Sequence, residues 1–362
     1  MVKLSIIVPV FDHGKSLDKF VDSVLSQKVD DIEIICIGNY STKSLLEKIK
    51  SIQEKDKRII IAETESNKTT EILNEGMDIS NGDYLIFSNV KYIFLENSLN
   101  SILKIINKES YDILLSKIRH IDPNNSDNEC MEHISRIVTD ESFNYEILKD
   151  FLSDLTHVPW NKTYKKSFLA EQNIKFSDNL HENYEVFFFK SILKAERIMF
   201  NKEYILEDEK NPQSSIYEVE DYIQTTYEIE ELLDSLNLNE HKEKMLNYKI
   251  STLTEKYDKL SANEKVKAFT IIKEDMVKIL EDNQESVDKL AKKERKIFEY
   301  IILSHNAEEF DILRKISEEN NMKNSNKRYA NLLHEEYDKL VKFNNSLTSS
   351  NSWKITRIFR LR

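Results

Sequence analysis

Three short stretches of this chain place side chains with usable chemistry directly after apolar runs. Tyr84, Leu85, Ile86 and Phe87 lead into Ser88, Asn89, Val90, Lys91 and Tyr92. The run DIEIICI leads into Gly38, Asn39, Tyr40 and Ser41, and LSIIVPVF leads into Asp12, His13 and Lys15. An amide offers both a donor and an acceptor, and a lysine ammonium is a point charge that phosphate accepts readily. Neither supplies the anionic oxygens that a hard divalent cation wants. Farther along, Glu182 and Glu185 flank Tyr184. A carboxylate can strip a proton from a reacting hydroxyl, whereas a phenol, titrating near about 10, cannot do so at neutral pH. The eight histidines show no metal-like spacing, and neither cysteine pairs with one.

Each of these residues also has a plain structural reading. Asn39 suits a turn at a strand end, and Lys91 suits a solvated surface. Asp12 falls in the capping region of a helix starting near Ser16. Glu182 and Glu185 fit the start of a helix, where the dipole favours acids. His157, beside Val158, Pro159 and Trp160, reads as a structural histidine.

The elements that must position these groups alternate over the first hundred residues. Strands are expected at 4–11, 31–38, 58–64 and from Tyr84, with amphipathic helices at 16–27, 44–55 and 69–80. In the first helix Leu17, Phe20, Val21, Val24 and Leu25 share one face. All-apolar strands separated by helices imply a parallel sheet covered on both faces, with ligands at the carboxyl ends of the strands. Between about 100 and 215 a strand is expected at 112–122 and a polar loop at 124–135. Helices follow at 144–155, 166–172 and 184–195, then short strands at 197–200 and 203–207. From 216 the chain reads as charged helices. A late helix at 324–348 spaces Ala330, Leu333, Tyr337, Leu340, Asn344 and Leu347 in alternating three- and four-residue steps, a short coiled-coil seam.

Composition narrows the function classes. A net charge of −12 argues against general nucleic-acid binding, which needs a basic surface. Two cysteines, Cys36 and Cys130, make no disulfide framework and fit a reducing compartment. The opening residues lack a signal-peptide layout and no apolar stretch reaches membrane-spanning length, so a cytoplasmic protein is expected. The terminal WKITRIFRLR (353–362) mixes four basic residues with apolar ones. It reads either as peripheral contact with the inner membrane face or as a frayed or packed end.

The order of these strings resembles the family-2 glycosyltransferases of the GT-A fold over about residues 1–215. SIIVPVF with Asp12 is similar to the family's opening strand, which ends Val-Pro-x-Tyr-Asn. SLDKFVDSVLSQ followed by DIEIICI resembles its first helix and second strand. NEGMDISNGDYLIF resembles the segment before its metal motif. VPWNKTYKKSFLAEQNIKF (158–176) resembles an acceptor-side signature of bacterial members, and FFFKSILKAERI (187–198) the helix after the catalytic base. The terminal Ser-Trp-Lys-x-Thr string is similar to the ends of many bacterial and archaeal surface-polysaccharide transferases.

The resemblance implies a Rossmann-like mixed sheet with helices on both faces (1–215); the sequence pattern beyond it implies a helical domain (216–322) and a long helix or short coiled coil with a basic amphipathic tail (323–362). The resemblance implies a UDP-type nucleotide-sugar donor, held by Pro9, Phe11, Asp12, Asn39, Asn89 and Lys91. It also exposes departures. Family members hold magnesium or manganese with Asp-Ser-Asp-Asp after the fourth strand; the matching residues here are Asn89, Val90, Lys91 and Tyr92. Their Asp-Asp-Gly-Ser after the second strand is Gly38, Asn39, Tyr40 and Ser41. Their Glu-Asp base pair falls on Asn183 and Tyr184, and their Arg-Asn on Leu73 and Asn74. No metal cofactor is therefore expected. Lys91 is either a solvated remnant or a substitute for the metal charge, and only a one-residue shift would bring Glu182 or Glu185 into the role of base. The resulting expectation is a degenerate transferase of a cell-surface polysaccharide or glycoprotein pathway, with catalysis weak, altered or absent. The alternative is a pseudo-glycosyltransferase that binds a partner transferase or a glycan, with self-association through 324–348.

Overall fold

Leu4–Pro9 (β1) is buried at all of its positions, the mark of a strand covered on both faces. The computed structural model describes residues 2–11, 14–40, 43–120, 126–138, 141–152, 155, 157–177, 184–208 and 216–322. The elements after β1 are Gly14–Leu25 (α1), Ile32–Gly38 (β2), Lys43–Gln53 (α2), Ile59–Glu63 (β3), Thr69–Ile79 (α3) and Tyr84–Phe87 (β4). Next come Ile93–Phe94 (β5), Ser98–Lys108 (α4), Ile113–His120 (β6) and Ser126–Ile137 (α5). Lys162–Lys165 (β7), Lys166–Glu171 (α6), Glu185–Lys194 (α7) and Ile198–Asp208 (β8) complete this part. The described strands form one eight-stranded sheet in the order β3-β2-β1-β4-β7-β6-β8-β5.

The strand order sets a switch point. β3, β2, β1 and β4 run parallel, and the chain reverses its direction of travel across the sheet between β1 and β4. Such a switch point leaves an opening at the carboxyl ends of the two strands. α3 lies directly on β1 because Gly76 has no side chain: a Cβ there would stand 2.3 Å from Ile7 Cγ2. Beyond β4 the sheet is mixed, with β7 antiparallel to both β4 and β6.

Three sequence expectations are corrected here. The polar stretch 124–135 is largely α5, because Cys130, Met131, Ile134 and Val138 form a buried three-to-four-residue stripe that its polar neighbours mask. Among the described residues, the helix expected at 144–155 is only a short 3-10 turn at Tyr145–Ile147, opened by the Asn144 side chain, which accepts the Glu146 N–H. The two short strands at 197–200 and 203–207 are one strand, β8. Its register against β6 jumps from Asn201 opposite Ser116 to Tyr204 opposite Lys117, an irregularity that absorbs the polar residues between.

Contacts divide the chain into two compact units, Met1–Pro212 and Gln213–Arg362. The second is helical throughout its described part: Ile216–Ser235 (α8), Lys242–Asp258 (α9), Ala262–Asp282 (α10), Gln284–Asp288 (α11), Lys292–Leu303 (α12) and Ala307–Met322 (α13). Its core gathers Tyr222, Ile250, Tyr257, Phe269, Met276 and Phe298. Ser261 and Glu264 form a capping box that fixes the start of α10. Among the described residues no helix is long and apolar enough to cross a membrane. The seam at 324–348 and the tail at 353–362 lie outside the described residues.

Candidate functional site

β1, β2 and β4 end side by side. Val10 donates its N–H to the Ile37 carbonyl at 2.8 Å, and Ser88 donates to the Ile7 carbonyl at 2.9 Å. Pro9 is buried between its neighbours, and Phe11 leaves the strand half-buried. Asp12 lies outside the described residues, as does Glu182.

At the end of β2, Gly38 sits where no side chain fits. A Cβ there would stand 2.1 Å from the Val10 carbonyl oxygen. The Tyr40 ring covers this point and its phenol donates to the Cys36 carbonyl at 2.7 Å. Burial, reinforced by Cys36 and Glu63, holds that phenol well above its ordinary range. Asn39 is half-buried and donates Nδ2–H to Asn67 Oδ1 at 3.4 Å, at the edge of hydrogen-bond reach.

The tip of β4 is a tight turn. Tyr92 donates its N–H to the Asn89 carbonyl at 3.0 Å. The Asn89 side-chain oxygen accepts the Lys91 N–H at 3.1 Å. An asparagine suits this turn because its side chain caps the backbone two residues on. Val90 is buried and pins the turn, while Lys91 stands exposed. Asn89 and Lys91 thus sit beside β1, on the side opposite Asn39.

Trp160 of the acceptor-side string, just before β7, and Tyr184, just before α7, converge on this turn. The Trp160 ring lies 6.1 Å from Tyr92 and 5.0 Å from Tyr184. Tyr184 also meets Phe176 edge-on at 6.1 Å, and Phe176 stacks on Phe187 at 3.9 Å. Phe176 is fixed by a reciprocal clamp: Asn74 Nδ2–H donates to its carbonyl at 3.0 Å, and its N–H donates to Asn74 Oδ1 at 2.9 Å. Glu185 turns toward His157 instead, with Oε1 3.7 Å from Nδ1. His157 is buried between Phe188 and Phe189 and donates Nε2–H to the Leu152 carbonyl at 2.8 Å, a structural seat. Asn161 and Lys162 are fully buried: Asn161 donates to the Ser116 carbonyl, and the Lys162 ammonium donates to the Val158 carbonyl and Asn161 Oδ1, both at 2.8 Å. These contacts hold the loop that presents Trp160.

The structure therefore gathers Pro9, Phe11, Asn39, Asn89 and Lys91 at adjoining strand ends, and joins Tyr184 to them through Trp160 and Tyr92. Glu185 is drawn to His157. No local pattern marks Asn74, whose partner is 102 residues away, or Tyr92 as a neighbour of Trp160. Among the described residues, no group of three or more His, Cys, Asp or Glu side chains is arranged to hold a metal ion.

Comparison with known proteins points the same way as the topology. Residues 5–172 match the family model for Glycosyl transferase family 2. The chain is 24% identical over 208 residues to the poly(ribitol-phosphate) beta-glucosyltransferase of Bacillus spizizenii, covering 56% of this chain and 31% of that protein. It is 22% identical over 208 residues to the glycosyltransferase GlyG of Streptococcus pneumoniae, covering 54% and 67%. It therefore spans about a third of the first relative and about two thirds of the second. The crystal structure of S. aureus TarS 1-349 superimposes with a TM-score of 0.64 at 18% identity, covering 90% of this chain and 93% of that one. The same fragment, solved in complex with UDP-GlcNAc, gives 0.64 at 16% identity.

Proposed function

Since residues 5–172 of this chain belong to glycosyl transferase family 2 and adopt its GT-A fold, related to transferases of cell-surface polysaccharides, we propose that its first unit holds a UDP-type nucleotide-sugar without a divalent metal. Transfer by this unit is then weak, altered or absent, and the pathway it serves is one of surface polysaccharide or glycoprotein assembly.

The observation that carries this reading is the turn at the tip of β4. A divalent ion in this family needs anionic oxygens there. The turn instead offers a neutral amide whose oxygen already accepts the Lys91 N–H, beside an exposed ammonium. These residues do not fit magnesium or manganese. They do fit a phosphate group. The Lys91 ammonium can face a diphosphate as a single positive charge, and the Asn39 and Asn89 amides can reach a sugar or base edge. One ammonium carries half the charge of a divalent ion, so it supports binding better than it supports departure of the leaving group. The packing of Tyr184 against Trp160 and Phe176, at the position matched to the family's base, favours the non-catalytic end of this range.

Isothermal titration with UDP tests the reading. Binding is expected without metal and unchanged by manganese. Lys91→Ala is expected to weaken it about tenfold or more, the scale of one charge-assisted contact. Manganese-enhanced binding, or metal-free binding indifferent to Lys91→Ala, refutes it.

A further inference from the structure

α13 is held by one face. Phe310 meets Tyr257 at 5.4 Å and Phe269 at 5.5 Å, and Leu313 packs against the same core. The Arg314 guanidinium grips Asp258 with two bonds of 2.7 and 2.6 Å. At about 100° per residue, Ile312 lies about 200° round the helix from Phe310. On that opposite face it is 47% exposed. Ile316, one turn on, shares the face and is half-buried. A single exposed isoleucine would mean little. These two gain meaning from the sequence beyond α13. The seam from Ala330 to Leu347 alternates three- and four-residue steps. Carried backward at the same alternation, it passes through Asn326, Lys323 and Glu319 and lands on Ile316 and Ile312. The outward face of α13 is therefore in register with that seam.

We propose that the outer face of α13 and the seam that continues its register pair with a second copy of this chain, in a parallel two-stranded coiled coil. From Ile312 to Leu347 the register spans five heptads, past the roughly three to four that such a pattern needs. The residue types select the partner. Leu333, Leu340 and Leu347 occupy three successive d positions, as in two-stranded coils. Asn344 occupies an a position, where one asparagine fixes the alignment of parallel strands. Its amide offers both a donor and an acceptor, so two such amides satisfy each other when they face across the seam. Only a second copy brings another Asn344; a tail folding back on its own α13 cannot. Glu319, Lys323 and Asn326 leave the middle of the seam polar, so its apolar ends carry the association.

Sedimentation velocity on the full chain at micromolar concentration reads the association. A species of twice the chain mass is expected. Ile312→Glu changes an exposed position and should leave the helical circular dichroism intact while weakening the dimer about tenfold or more. Leu340→Glu should weaken it at least as much, since each change puts a charge on the seam in both copies. Leu347→Cys should cross-link the two copies under mild oxidation, because identical d positions face each other only in a parallel pair. The native Cys36 and Cys130 are both buried and do not compete. A monomeric chain overturns the proposal, as does a dimer indifferent to Leu340→Glu. A dimer lost in Leu340→Glu but unmoved by Ile312→Glu removes α13 from the interface and overturns it too. A dimer without the Leu347→Cys cross-link overturns the parallel pairing. None of these residues belongs to the first unit, so titration with UDP tests the donor reading separately.

Discussion

Gly38→Ala puts a single methyl group against the Val10 carbonyl, just past the end of β1. Gly38 does not use a left-handed backbone, so the alanine meets no conformational barrier and the whole effect is contact. The new carbon would stand 2.1 Å from the Val10 carbonyl oxygen and 3.1 Å from its carbon. An ordinary C···O approach is about 3.3 Å, so the strand tips must part by roughly 1 Å. That movement stretches the Val10 N–H bond to the Ile37 carbonyl, now 2.8 Å, out of useful range. Overpacking of this kind costs about 1–3 kcal/mol, and the lost hydrogen bond about 0.5–1.5 kcal/mol. The sum, about 1.5–4.5 kcal/mol, corresponds to a fall in Tm of roughly 3–18 °C for a unit of this size. Thermal melts followed by circular dichroism measure it. An aspartate, the residue that family members carry at the matching position, has the same Cβ and should destabilise the fold rather than repair the site. If Gly38→Ala melts with the parent, the strands do not approach as described and the steric account of this glycine is wrong.

Two further expectations concern the helical unit. Lys249 and Asp275 form an ion pair at 2.8 Å with side chains only 1% and 5% exposed, so Lys249→Met leaves a buried carboxylate without its counter-charge, held only by the Tyr227 phenol that donates to it at 2.6 Å, and should cost about 3–5 kcal/mol in urea unfolding. Adding Asp275→Asn should recover part of that loss, and a double variant worse than the single one would contradict the pairing. Burial holds the Glu230 carboxyl above its ordinary value of 4.5, against the opposing pull of Lys249 and Lys242. The folded state therefore binds that proton more tightly than the unfolded chain, and Glu230 loses stability for the fold as pH rises past 4.5. Glu230→Gln should raise the melting temperature near neutral pH, with the gain vanishing at more acidic pH; a loss at neutral pH would refute the sign.

The apolar runs at 4–11, 31–38 and 58–64 were legible as strands, and Leu17, Phe20, Val21, Val24 and Leu25 as a helix face, because both rest on local periodicity in consecutive residues. The same logic misjudged α5, where Cys130, Met131 and Ile134 are diluted by charged neighbours, and β8, where a polar irregularity breaks one strand into two apparent ones. Polar residues directly after these apolar runs were legible as well, but the strand order that sets the ends of β1, β2 and β4 side by side came from the tertiary structure. What the sequence by itself determined was therefore the strands and helices of a largely parallel sheet and the residue types that follow its strands. Only the tertiary structure decided that Gly38 faces the Val10 carbonyl, that Asn74 clamps Phe176, and that Tyr92 and Tyr184 close on Trp160. Those contacts join residues far apart in the chain, and side chains so separated leave no mark on one another's local pattern until packing brings them within a few ångströms.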